Sequence, residues 1–143
     1  MSTLIDLNEC LSRGLIRKYT PSKEQAQASL NKAKTLLSEA EGDLQDKRYN
    51  SAMLVGYVSI LNASRAILFR DGYREKSHMC IVRYLEAKYK NKLPEGYIKL
   101  LDHYRETRHE IQYGTEQFAE EQGAKEIVEF ARKYVKIIEG IID

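Results

Sequence analysis

The sequence predicts an all-α protein, an up-and-down four-helix bundle with one or two additional short helices. Three observations predict it. Only two prolines and eight glycines punctuate 143 residues, which leaves long uninterrupted elements. Apolar residues recur at three-four spacing in several long windows. No strand-like alternation is evident. The length fits one domain spanning residues 1–143, with a core over about 22–140 and a short helix at 3–13.

That first helix is expected over Thr3–Arg13, where Leu4, Leu7 and Leu11 share a face and Gly14 stops it. Leu15–Tyr19 reads as a connector. Thr20 and Pro21 read as an N-cap and first helical residue. The next helix places Ala26, Leu30, Ala33, Leu37, Ala40 and Leu44 in one narrow stripe. The third runs from about Asn50 to Arg70. It is apolar on nearly every side and rich in small residues (Ala52, Gly56, Ser59, Ala63, Ala66), which suits the bundle centre or a dimer interface. Ser77 caps a short helix ending near Lys90, Pro94 opens one that ends at Gly114, and a last helix covers about Glu121–Ile141.

The formal charge is +2, too balanced to signal nucleic-acid binding by bulk electrostatics, so any anion site is local. Cys10 and Cys80 lie far apart with no CxxC spacing. Neither a disulfide nor a zinc site is expected, and the context reads as reducing and cytoplasmic. The N-terminus lacks the pattern of a signal peptide, and no stretch reads as a membrane span.

The helix ending at Gly114 carries the chemistry. With Tyr97 at zero and roughly 100° per residue, Leu100, Leu101, Tyr104 and Ile111 define an apolar face. Arg108 falls about 20° from its centre, with Gln112 and Arg105 on its flank. A lone arginine there is costly to bury, so it must close a salt bridge or open into a groove that holds an anion. His109 and Tyr113 point away from the core on the side of Arg105. Together Arg105, Arg108, His109, Gln112 and Tyr113 form a polar seam. It suits phosphate, because arginine offers forked donors and Gln or Tyr adds neutral ones. His78 and His103 read as structural or exposed, and the charged stretch Gly72–Lys76 as a loop able to reach across a groove.

Residues 104–114, YRETRHEIQYG, resemble the signature helix of HEPN domains (higher eukaryotes and prokaryotes nucleotide-binding). Residues 49–57, YNSAMLVGY, with 63–66, ASRA, look like that family's central helix, and 72–78, GYREKSH, like the loop that follows it. The resemblance implies a helical bundle that usually dimerises, binds nucleotide or RNA, and in many members cleaves RNA without metal. It also implies a possible nucleotidyltransferase partner in a toxin–antitoxin-type pair. Cleaving members place a histidine a few residues after the arginine. Here that position, counted from Arg108, is Tyr113, a poor base at neutral pH. The favoured expectation is therefore nucleotide or RNA-phosphate binding as a homodimer, with no cofactor and no metal. One alternative is a ribonuclease using Arg105, Arg108 and His109. A second is a structural module in which Arg108 closes an internal salt bridge. A di-metal site built on Glu75–His78 and Glu106–His109 is disfavoured, since Glu106 points away from the apolar face.

Overall fold

The computed structural model describes residues 5–115 and 119–143. Among them, six helices surround one core: α1 (Leu7–Ser12), α2 (Lys23–Gln45), α3 (Tyr49–Asp71), α4 (His78–Tyr89), α5 (Tyr97–Tyr113) and α6 (Glu121–Ile142). Two short strands, β1 (Ile16–Lys18) and β2 (Tyr73–Glu75), pair antiparallel. The ribbon corrects the expectation that no strand forms. Three-residue strands are too short to show a period, and what makes them is pairing between Leu15–Tyr19 and the segment after α3. The expected start of α1 at Thr3 lies outside the described residues. The helix begins after Asp6, whose carboxylate accepts from the Glu9 amide at 2.9 Å.

α2 and α3 form an antiparallel hairpin around a three-residue turn in which Lys47 takes φ 62°. Its start corrects the proline reading. Ser22, not Thr20, caps α2, its hydroxyl accepting from the Gln25 amide at 3.0 Å, so Pro21 precedes the helix. Likewise α5 begins after Gly96, two residues beyond Pro94.

α3 is the centre of the bundle and touches α2, α4, α5, α6 and β2. By length and hydropathy it is apolar enough to cross a membrane, contrary to the sequence expectation, but 72% of that window is buried inside the bundle. Its small residues let neighbours close in. Ser59 Oγ donates to the Ala33 carbonyl at 2.8 Å and Ser29 Oγ, across the hairpin, to the Asn62 carbonyl at 2.7 Å. Ser64 and Tyr134 share a hydrogen bond of 2.7 Å between α3 and α6. Buried polar groups on α3 are thus paired, as a packed interior requires. The three-four apolar stripe of α6 faces the core, with Ile127, Phe130, Tyr134 and Ile138 buried and Ile137 and Ile141 partly buried.

Cys10 and Cys80 are joined as a disulfide, with Cα atoms 5.9 Å apart. This overturns the expectation of unpaired cysteines. Separation along the chain is no guide here, because β1 folds back onto β2 and carries α1 against the start of α4. The cysteine argument for a reducing compartment falls with it.

One glycine joins the bundle to the ribbon. Gly72 ends α3 with φ 89°, and its amide donates to the Leu68 carbonyl at 2.8 Å. A Cβ at that position would lie 2.7 Å from the Tyr19 carbonyl oxygen and 2.9 Å from Pro21 Cγ. Gly140, inside α6, has open space around it. Gly72→Ala should lower the unfolding free energy by about 2 kcal/mol or more, from left-handed strain and the clash. Gly140→Ala should raise it by roughly 0.5–1 kcal/mol. Chemical denaturation of the two variants beside the parent checks both.

Candidate functional site

The site begins with a short link. Two residues after β2, α4 starts at His78, so the ribbon fixes where the imidazole stands against the bundle. α5 lies against α3 and α4 and presents Arg108 to the same place. Helices α2, α3, α4 and α5 therefore meet at a groove of about 370 Å³, lined on the polar side by His78, Arg108 and Gln112 and on the other by Leu36 of α2 and Leu54, Tyr57 and Val58 of α3.

Arg108 is half-buried, and its guanidinium is held from three sides. Nη1 donates to Gln112 Oε1 at 2.6 Å. Nη2 lies 3.1 Å from His78 Nδ1. The charged carbon sits 5.1 Å from the centroid of the Tyr57 ring, in cation–π range. Nε is buried and has no hydrogen-bond partner among the described residues. Among the described residues no carboxylate lies within salt-bridge distance of Arg108. A cation surrounded by a neutral amide, a neutral imidazole and a ring face is solvated by dipoles but not neutralised. That is the electrostatic condition for accepting an anion.

Electrostatics tune both neighbours. Burial, reinforced by the Arg108 charge, holds His78 below the ordinary imidazole range, so at neutral pH its Nδ1 lone pair accepts from Arg108. Burial raises the Tyr57 phenol, with Arg108 and Arg105 pulling the other way, so Tyr57 remains a neutral ring.

The other predicted residues fall elsewhere. Arg105 pairs with Asp102, Nη2 to Oδ1 at 3.3 Å, and the same carboxylate holds the buried Arg83 of α4. Arg105 is thus part of a clamp between α4 and α5, and only its field reaches the groove. His109 is exposed and rests against the Tyr113 ring, centroids 4.8 Å apart. Tyr113 is 64% exposed. Both lie outside the groove, so the structure gathers Arg108 and Gln112 and leaves Arg105, His109 and Tyr113 apart. It adds His78, read from sequence as structural, and Tyr57. Both stand at the ends of segments that carried the family resemblance, but pairing across 30 and 51 residues has no local periodicity to reveal it.

Among the described residues no cluster of three or more His, Cys, Asp or Glu side chains is placed to hold a metal ion. Glu75 is turned toward Arg65, whose Nε donates to it at 2.6 Å, and Glu106 faces solvent. A larger groove between α5 and α6, lined by Tyr97, Leu100, Tyr104 and Phe130, has rim charges of both signs and carries no comparable cation.

A family model described as the HEPN domain matches residues 26–141. That span covers α2 through α6 and contains every groove residue. A search of curated proteins finds no match.

His78 gives the site a measurable signature. Its folded pKa is depressed, so the unfolded chain binds the extra proton first. Stability is therefore full above the unfolded value of about 6.5 and declines as pH falls below it. Chemical denaturation between pH 7.5 and 5 should show this decline, and His78→Gln should flatten it.

Proposed function

The chain belongs to the HEPN domain family, and from that membership we propose that it binds a nucleotide or RNA phosphate at the Arg108 groove. The observation that carries the reading is the state of the two arginines. Among the described residues Arg105 has a carboxylate partner and Arg108 has none, although Arg108 is the one set against the apolar face. An internal salt bridge, as the structural-module alternative requires, would place an acid on Arg108. Instead Gln112 and His78 hold its guanidinium with one face turned to a groove large enough for a nucleotide-sized group. The fork suits phosphate oxygens, and the partly exposed apolar wall of Leu54, Val55 and Val58 suits a base or sugar.

Metal-independent RNA cleavage is the second reading, favoured by the Arg108–His78 contact. A phosphate that takes over Arg108 Nη2 frees the Nδ1 lone pair of His78. That nitrogen can then accept the proton of a ribose 2′-hydroxyl as the hydroxyl oxygen attacks phosphorus. Arg108 stabilises the charge that builds on the phosphate oxygens. The bond from phosphorus to the 5′-oxygen breaks as that oxygen takes a proton from water, a 2′,3′-cyclic phosphate remains, and His78 returns its proton to solvent. His109, which the sequence-based version of this reading relied on, has no place in that geometry. A homodimer and a nucleotidyltransferase partner, both expected from the resemblance, rest on the family alone.

Thermal melting with a mononucleotide tests the main reading. At a hundredfold excess over Kd, binding to the folded state adds about 2.7 kcal/mol. That is roughly 8 °C for a domain of this size. Arg108→Ala should abolish the shift, whereas Arg105→Ala should leave most of it. Equal shifts in parent and Arg108→Ala would move the ligand elsewhere. Incubating the same proteins with RNA in chelator decides the second reading. Cleavage lost in His78→Gln but kept in His109→Gln supports it, and no cleavage by the parent ends it.

A further inference from the structure

The ribbon carries a charge pattern that folding alone does not call for. Its register sets Arg17 directly opposite Arg74, and both are exposed. Like charges at directly opposed positions destabilise a strand pair. Lys18 and Lys76 add two exposed cations. Among the described residues none of these four forms an ion pair. Glu75, the one acid of the ribbon, is turned inward to Arg65. The two arginines find neutral acceptors: Arg17 Nε donates to the Gly14 carbonyl at 3.3 Å and Arg74 Nη2 to Gln25 Oε1 at 2.9 Å. The Arg74 guanidinium also lies 4.8 Å from the Tyr19 ring centroid, and Tyr19 is 49% exposed.

A second observation connects this patch to Arg108. The seam between α2 and α3 opens beside the ribbon as a shallow groove of about 340 Å³, lined by Gln25 and Lys32 on α2 and by Arg65 and Phe69 on α3. Phe69 and Gln25 are the residues that Arg74 touches. Further along the same seam, Leu36 of α2 and Val58 of α3 already line the Arg108 groove. Positions 25, 32 and 36 of α2 share one helical face, as do 69, 65, 62 and 58 of α3, so the two grooves follow one line. From Phe69 to Tyr57 α3 advances about 18 Å.

We propose that the ribbon and this seam form a track for single-stranded RNA that ends at the Arg108 groove. The inference deepens the phosphate-binding reading and rests on it: the ligand is an oligonucleotide of several residues, of which a mononucleotide fills only one end. One phosphate sits at Arg108. The backbone then passes Lys32 and Arg65 and reaches Arg17 and Arg74, whose mutual repulsion it relieves. The exposed face of Tyr19 gives a base a stacking surface, which tolerates any sequence.

The test compares the parent with the double variant Arg17→Gln/Arg74→Gln. Fluorescence anisotropy with an eight-residue 2′-O-methyl oligoribonucleotide, which cannot be cleaved through a 2′-hydroxyl, is measured over a salt series. Mononucleotide melting shifts are measured in parallel. The double variant should bind the oligonucleotide at least tenfold more weakly. Its plot of log affinity against log salt should be shallower by about 1.4, at roughly 0.7 for each phosphate no longer neutralised. Its mononucleotide shift should be unchanged, and its melting temperature should not fall below that of the parent. Unchanged oligonucleotide affinity and slope would overturn the track. So would a parent that binds the mononucleotide yet binds the oligonucleotide no tighter, and that result leaves the Arg108 reading standing. A parent that binds neither ligand removes both. If phosphatidylserine vesicles bind the parent and the double variant loses them while RNA affinity holds, the patch is a membrane-surface contact and the track is overturned.

Discussion

The structure turns on how a half-buried guanidinium is kept charged with no counter-ion among the described residues. Burying an isolated cation costs several kcal/mol unless dipoles replace the water it loses. Around Arg108 those dipoles come from three separate elements: Gln112 one turn along α5, His78 at the start of α4 and the Tyr57 ring of α3. None brings a negative charge. The cation is therefore supported and still available, which is the combination an anion site needs. An acid in place of Gln112 would leave the packing similar and close the site.

Much of the remaining architecture holds those three elements in register. α3 can lie at the centre because small residues let α2 and α6 approach it, and its serines find partners across the gap. Gly72 then turns the chain sharply into β2, which fixes His78. The Cys10–Cys80 bond anchors α1 to the first turn of α4, two residues beyond His78. Asp102 ties α4 to α5 by accepting from both Arg83 and Arg105. An arginine that looked in sequence like a ligand contact is thus a strut that helps aim the arginine three residues later.

Within the helices the sequence was a good guide, because each long helix buries one face and periodicity reports that face directly. The stripes of α2 and α6, the all-round apolar α3 and the placement of Arg108 near the apolar face of α5 follow from that. What stayed hidden is what depends on two distant segments meeting. Ile16–Lys18 becomes a strand only because Tyr73–Glu75 lies beside it. Cys10 meets Cys80 only because that ribbon folds back. His78 and Tyr57 reach Arg108 from other helices. His109, adjacent to Arg108 in sequence, is carried about 100° round the helix and so faces away. The signature helix named the arginine, and tertiary packing chose its companions.

The central claim is that Arg108 serves a ligand and not the fold, and the stability of Arg108→Leu without ligand tests it most directly. A structural salt bridge broken by this change would leave an acid unpaired and cost about 3–5 kcal/mol. An unneutralised cation replaced by an apolar side chain on an apolar face should cost nothing or add stability, as often happens when functional residues are removed. Arg108→Leu should therefore unfold at the same or a higher denaturant concentration than the parent while losing its nucleotide-induced melting shift. Destabilisation of several kcal/mol with the melting shift retained would contradict the claim.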